Sequence, residues 1–363
     1  MKKTKAAALA GTVLLYLFGL AVLIWILPDR AVSRAERRRL EQRPSFSAGS
    51  FLSGAFAKHL ETYFLDQFPG RDGWRAVQAR LRFDLLRQRD SNGVYRRGDA
   101  VSRLEYPLAE KQVAHAAGKI NWVMETYLAG SNVRFAVIPD KNYFMAGDAP
   151  HLDYGRMFAL LDETVAAPRV DLSGCLQLED YYRTDSHWRQ ERLLPVAQAL
   201  ADSFDLEVDL SPETGFAREE LAPFYGVYCG QAAVDVEPDV LSYLRSGAID
   251  VARMTGPELE GEQPVYTLDR FGGMDGYDVF CAGPQSVLTI ESPLAKTDRE
   301  LILFRDSFGS SLAPLLLEGY RRVTLVDLRY VASGLLDQFV DFHGQDVLFL
   351  YSTSLLNSGM LLK

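Results

Sequence analysis

Three side chains in this sequence have types and spacings that suit acyl-transfer chemistry. Asp185 and His187 stand two apart in Tyr181-Tyr182-Arg183-Thr184-Asp185-Ser186-His187-Trp188. In locally extended backbone, side chains at i and i+2 point the same way, so both could face one cleft. A histidine oriented by a carboxylate can act as general base for a serine nucleophile. The matching serine is Ser307, in Leu301-Ile302-Leu303-Phe304-Arg305-Asp306-Ser307-Phe308-Gly309-Ser310-Ser311. Four apolar residues, short enough for a buried strand, run into Asp306-Ser307. The spacing of Leu312, Leu315, Leu316 and Tyr320 then reads as a helix.

A serine at a strand-to-helix turn is presented at the carboxyl edge of a sheet, where open α/β folds place their sites. The first N–H groups of the following helix can stabilise an oxyanion. Each segment also has a plainer role. Ser and Asp are the preferred helix N-caps, so Asp306-Ser307 could simply start that helix. Asp185 or Ser186 could likewise start a helix running through Arg192, Leu193, Val196, Ala197 and Leu200. The chain has five His, and His187 sits in a polar, aromatic-flanked turn rather than on an apolar face, which favours the chemical role.

The elements that must hold these residues follow from periodicity. A chain of 363 residues, 48% hydrophobic, can bury a full-sized core. Helix spacing over 110–128 (Val113, Ala117, Ile120, Met124, Leu128) leads to a strand over 133–138 that ends in Pro139-Asp140-Lys141-Asn142. A helix over 156–166 precedes Arg169-Val170-Asp171-Leu172. After the serine come a helix over 308–318, a strand over 323–327, a helix over 333–342 and a strand over 347–351. Alternating strands and helices predict a doubly wound parallel sheet. Residues 205–298, rich in Gly, Pro and acidic residues, read as an inserted region of small β elements.

The N-terminal part has a different character. Residues 6–27 form an uncharged, mostly apolar run behind Lys2, Lys3 and Lys5, long enough to span a bilayer. Ala31-Val32-Ser33 is a poor cleavage site, so an uncleaved signal anchor is expected, with residues 1–5 as a short cytoplasmic tail. Arg30, Arg34, Arg37, Arg38, Arg39 and Arg43 follow the span and by count outnumber the lysines before it, so charge alone does not set the orientation. Residues 28–95 read as a linker and N-terminal helices, and the α/β domain as 96–363. Phe51, Phe56, Leu60, Phe64 and Phe68, then Trp74, Val77, Leu81, Leu85 and Leu86, recur at about helical spacing and are expected to face a core.

Net charge is -9 and the body of the chain has no basic block, so nucleic acid is not an expected partner. Gly-x-Gly-x-x-Gly, Walker-type and zinc-spaced patterns are absent, and no cofactor is expected. A metal hydrolase built on Asp185 and His187 would lack a visible third ligand. Of three cysteines, Cys229 and Cys281 lie in similar strand-like settings and are expected to pair, leaving Cys175 free.

The chain resembles a known family. Thr184-Asp185-Ser186-His187-Trp188 is similar to the Asp-x-His-Trp motif of the DHHW proteins and the related alginate O-acetyltransferase proteins. Further landmarks agree in order: Tyr63 to Asp72, Asn92-Gly-Val-Tyr95, Ile138-Pro-Asp-Lys141, Phe224-Tyr-Gly226, Arg305-Asp-Ser-Phe308 and Val326-Asp-Leu-Arg-Tyr330. These proteins resemble SGNH hydrolases with the Asp/His block moved ahead of the serine block. The resemblance implies Ser307 as nucleophile, His187 as base and Asp185 as its orienting partner. It also implies a membrane-anchored, extracytoplasmic acetyltransferase or esterase acting on a cell-surface polysaccharide. A transferase would need a multi-spanning membrane partner, because acetyl-CoA is cytoplasmic.

Two positions depart from the pattern. Arg305 stands where SGNH enzymes carry Gly, and Ser186 where the DHHW name has His. Arg305 could crowd the turn or hold a carboxylate or the oxyanion. Further oxyanion or substrate candidates are the Ser307 N–H, Arg329, Tyr330, Asn357 and Lys141. The competing class is a non-catalytic anchored protein that binds glycan or scaffolds an envelope complex on the same fold.

Overall fold

The computed structural model describes residues 2–33, 35–145, 147, 149–211, 215–233 and 236–363. Arg34 and the side chains of Lys2 and Lys3 lie outside the described residues. The chain divides into two units, Met1–Asn92 with Cys229–Asp235, and Gly93–Tyr228 with Val236–Lys363.

The first unit begins with helix α1, Lys2–Ile26. Over Leu9–Ile26 its mean hydropathy is 2.4 and only 6% of the window is buried, so by length and composition it could cross a membrane. Past it, Tyr63 and Gln67, at the end of helix α2 (Ala55–Asp66), bond Asp29 and Arg30. Helix α3, Arg71–Arg80, continues into a single π-helical turn, Leu81–Leu85. The expected apolar face is present but does not form a core. Trp74 is 59% exposed, Leu81 46% and Leu85 70%, while Tyr63 is fully buried.

The second unit carries the sheet. Strands β1 (Val94–Arg97) and β2 (Ala100–Arg103) form a hairpin ahead of helix α4, Glu110–Tyr127. Strand β3 (Asn132–Ile138), helix α5 (Tyr154–Thr164) and the short strand β4 (Arg169–Val170) follow. Helix α6 spans Leu194–Ser203. It starts later than a cap at Asp185 or Ser186 would place it, because Pro195 fits only a first turn. Asp185 and Ser186 are thereby left in a loop.

Strands β5 (Ala217–Phe224) and β6 (Asp239–Arg245) pair as an antiparallel hairpin. Strands β7 (Arg253–Thr255), β8 (Gln263–Pro264) and β9 (Val287–Glu291) do not stand apart as an insertion but extend the central sheet. Strand β10 (Glu300–Arg305), helix α7 (Phe308–Leu316), β11 (Arg322–Val326) and β12 (Asp346–Ser352) complete it. Between β11 and β12 the expected helix is only a 3₁₀ segment, Ser333–Gln338.

The central sheet runs β8-β7-β9-β11-β10-β12-β3-β4. The five strands from β11 to β4 are parallel, whereas β9, β7 and β8 join antiparallel, so the sheet is mixed rather than wholly parallel. The apolar run in β10 serves both faces. Leu301 and Leu303 pack with Leu312, Leu315, Val196 and Leu200 from α7 and α6. Ile302 and Phe304 pack on the other face with Val113, Ile120, Met157 and Leu161 from α4 and α5. Each fully buried side chain of this size contributes roughly 1.5–3 kcal/mol. After β10 the chain moves to β11 on one side and then to β12 on the other. The carboxyl end of β10 is therefore a topological switch point, where doubly wound sheets open a crevice.

The expected Cys229–Cys281 disulfide is not formed. Cys281 is fully buried, donates its thiol to the Ser310 carbonyl at 3.3 Å, and burial pushes its pKa up to about 12. Denatured, unreduced protein should therefore titrate three thiols, and native Cys281 should resist alkylation at pH 8. A count of one free thiol would contradict this structure.

Candidate active site

The turn after β10 is built so that one side chain reaches the surface. Asp306 ties it down: Oδ1 accepts from Phe308 N at 3.1 Å and Oδ2 from Ser352 N at 2.9 Å, at the end of β12. A Cβ on Gly309 would lie 2.6 Å from Arg305 Cβ, so only glycine lets α7 fold straight back over the strand end. From Leu301 to Leu317 every residue is buried except Ser307. Its N–H has no hydrogen-bond partner among the described residues, while the next N–H, of Phe308, is taken by Asp306.

The Asp185/His187 segment is a small hairpin, with Tyr181 bridging Trp188 and Tyr182 N donating to His187 O at 3.1 Å. Asp185 is fully buried. Its Oδ1 accepts from His187 Nδ1 at 2.6 Å and from His187 N at 3.1 Å, and its Oδ2 from Val227 N at 2.8 Å. With Nδ1 protonated toward the carboxylate, Nε2 is an acceptor, and it lies 2.7 Å from Ser307 Oγ. The three sequence-predicted residues thus form one hydrogen-bonded chain, its halves 120 positions apart.

Further residues hold this hairpin from several directions, and of these the sequence reading did not single out Asp239, Tyr277 or Gln190. Asp239, at the start of β6, accepts from Arg183 N at 3.1 Å, Thr184 N at 2.8 Å and Thr184 Oγ1 at 2.6 Å. Gly226 N donates to Thr184 Oγ1 at 2.8 Å, and a Cβ there would sit 2.1 Å from the Thr184 carbonyl oxygen. The Tyr277 ring stacks on the His187 imidazole, centroids 3.9 Å apart and planes 10° apart. Burial raises its pKa well above the usual phenol value, so it stays neutral and donates to Ser311 Oγ at 2.7 Å. Trp188 Nε1 donates to Ser311 Oγ at 2.8 Å and to the Phe308 carbonyl at 3.0 Å, and Gln190 Nε2 donates to the Ser311 carbonyl at 2.7 Å. The hairpin that bears His187 is in this way fastened to the first turn of α7, the helix that follows Ser307.

The remaining candidates fall elsewhere. Lys141 is 1% exposed and does not face a cleft. Its Nζ donates to the carbonyls of Tyr182 at 2.8 Å, Arg183 at 2.9 Å and Asp185 at 3.2 Å, and also to that of Val101. Its role is to position the hairpin. Arg305 is also 1% exposed, with Nη1 3.6 Å from Asp327 Oδ2, and it lies under the turn instead of crowding it. Asp327 in turn accepts from Arg329 Nε at 2.9 Å and Nη2 at 2.6 Å. Arg329 keeps a quarter of its side chain in solvent, with its guanidinium 5.4 Å from the ring of the half-exposed Tyr330. These two remain accessible after β11. Asn357 is occupied elsewhere, accepting from Ala109 N at 2.7 Å and donating to Pro107 O at 3.2 Å, which removes it from the oxyanion candidates.

Residues 36–107 match the family model described as DHHW protein. No curated protein matches the chain. Among solved structures, a DHHW family protein from Eubacterium siraeum aligns with a TM-score of 0.61 at 19% identity, over 74% of this chain and 93% of that one. Bacillus cereus PatB1, solved with a sulfonyl adduct, aligns with a TM-score of 0.59 at 15% identity, over 74% and 97%. The O-acetyltransferase domain of Pseudomonas putida AlgJ gives a TM-score of 0.44 at 14% identity, over 73% and 92%, which is too distant to argue from. The likeness to the first two is one of fold: a mixed α/β architecture around a large central sheet.

Two substitutions test how the hairpin is held. Lys141→Met keeps the length but strips the donors from buried carbonyls, and should cost on the order of 3 kcal/mol in thermal unfolding. Gly226→Ala should cost roughly 1–3 kcal/mol through its clash with Thr184. A Lys141→Met protein that melts with the wild type would refute the positioning role.

Proposed function

We propose that this chain is an SGNH-like acyltransferase or esterase, with Ser307 as nucleophile, His187 as general base and Asp185 as the group that orients it. The observation that carries this reading is the unbroken relay from Asp185 to His187 to Ser307, with spacings of 2.6 and 2.7 Å, at the switch point of the sheet. His187 Nε2 takes the Ser307 proton as Oγ attacks the acyl carbonyl carbon. The oxygen of the tetrahedral intermediate would be received by the Ser307 N–H, and Arg329, partly exposed after the neighbouring strand β11, is a candidate to assist. His187 then returns the proton to the leaving alkoxide, leaving an acyl-serine. In the second half, His187 deprotonates a sugar hydroxyl or water, which takes the acyl group.

The strand order supports the same reading. Counted from the serine strand, β10, β11, β12, β3 and β4 become first to fifth, and they lie side by side as 2-1-3-4-5. That order supports reading the sheet as doubly wound, with the chain rearranged so that the base block precedes the serine block. Arg305 in place of glycine is compatible with activity, because its side chain is buried, with the guanidinium 3.6 Å from Asp327.

In this reading α1 is a single-pass anchor and the second unit works outside the cytoplasm on a cell-surface polysaccharide. Acyl transfer there calls for a multi-spanning membrane protein to deliver the acyl group. The sulfonyl adduct on PatB1 suggests the test. Detergent-purified full-length protein should be labelled by a sulfonyl fluoride at Ser307 alone and should release p-nitrophenol from its acetate ester. Ser307→Ala and His187→Ala should each lose roughly 10²-fold or more of that turnover, and Asp185→Asn should lose it by a similar mechanism of wrong tautomer. Equal turnover in all four proteins, with Ser307 unlabelled, would overturn the proposal in favour of a binding scaffold.

A further inference from the structure

The first unit exposes an apolar stripe that the fold itself does not cover. Trp74, Val77, Leu81 and Leu85 recur at intervals of three and four along α3 and its π-helical continuation, which puts them on one face. They are 59%, 48%, 46% and 70% exposed, and Leu86 beside them is 62% exposed. A contiguous apolar surface of this kind marks an interaction site.

Charge and connectivity name its partner. Between Asp29 and Asn92 the sequence has thirteen Lys and Arg against eight Asp and Glu, whereas from Gly93 onward it has 23 against 40. Arg80, Arg82, Arg87 and Arg89 fall within or just beyond the stripe. The start of α3 is also pinned to the exit of the apolar helix. Arg30, four residues past Ile26, donates from Nη1 to Asp72 at 3.2 Å and from its backbone N to Gln67 at 2.9 Å. Tyr63 donates to Asp29 at 2.8 Å, and Arg43 donates to the Trp25 carbonyl at 2.8 Å with its guanidinium 4.4 Å from that ring. Trp74 therefore lies two residues from a side chain fixed at the level where the span ends.

We infer that α3 and its continuation lie in the membrane interface, with the Trp74–Leu85 stripe in the acyl-chain boundary and the arginines on anionic headgroups. A basic amphipathic helix with Trp and Leu on its apolar face has the composition for this, and aromatic residues such as Trp25 and Trp74 favour the headgroup level. The anchor is then a two-part device, a span and an in-plane helix. This rests on the reading of α1 as a membrane anchor.

The test uses the full chain reconstituted in vesicles of phosphatidylcholine and phosphatidylglycerol, with and without lipid brominated near the headgroup end of the acyl chain. Subtracting the emission of Trp74→Phe from that of the wild type isolates Trp74, and Trp25→Phe isolates Trp25 in the same way. Leu85→Trp in the Trp74→Phe background reports on the far end of the stripe. Brominated lipid should quench Trp25, Trp74 and the new residue at 85, each about twofold or more, with blue-shifted emission. Quenching of Trp25 alone would overturn the inference while leaving the anchor intact. Blue-shifted but unquenched emission at 74 and 85 would do the same and assign the stripe to a second copy or another protein. If Trp25 is also unquenched, the anchor reading itself fails, and the inference with it.

Discussion

The ammonium of Lys141 sits where only 1% of the residue is accessible, and a charge placed there must be solvated by the protein. The carbonyls of Tyr182, Arg183 and Asp185 turn toward it, together with that of Val101. Three carbonyls within four residues are thereby committed to one point. The N–H groups of this segment must then find acceptors on the other side, and the carboxylate of Asp239 supplies them at Arg183 and Thr184. Once carbonyls and amides are both spoken for, the hairpin has little freedom, and the Asp185 side chain is delivered beneath His187. The geometry of the relay follows from this partition of the backbone more than from any single side chain within it.

The second dependence runs through α7. Trp188 and Gln190, just after the histidine, reach the first turn of the helix that Ser307 caps, and Tyr277 connects the imidazole to the same Ser311 hydroxyl. The hydroxyl acts as a shared node, accepting from Trp188 and Tyr277. His187 and Ser307 are therefore spaced by a buried polar network, which holds distances more tightly than apolar contact alone. This explains why a tryptophan follows the histidine, since no smaller apolar residue could supply its donor.

Much of this was legible in the sequence, and the failures have physical causes. α4, β3 and β10 to β12 follow from periodicity because both faces of the sheet are covered and the apolar runs are uninterrupted. Asp185, His187 and Ser307 were candidates from residue type and local setting, with their roles implied by the family resemblance, and the hydrogen bonds bring them together. Tyr277 and Asp239 left no signal, because they lie in the aperiodic stretch between 205 and 298 and reach the hairpin only through tertiary packing. Lys141 was found in place but given the wrong task, since a lysine at a strand end usually faces solvent or ligand. The stripe from Trp74 to Leu85 was recognised as one face of a helix and then assigned to a core. Period reveals that a face exists, not what lies against it.

The order of the strands also has a consequence in time. Ser307 emerges from the ribosome 120 residues after His187, and its turn is secured only when Ser352, at the end of β12, donates to Asp306. β12 is also the strand that joins β10 to β3. Every nascent chain that ends short of β12 therefore holds His187 without a registered Ser307. The chain from Asp185 through His187 to Ser307 is therefore assembled only when the last strand of the sheet is in place, which makes it one of the final features of the fold to form.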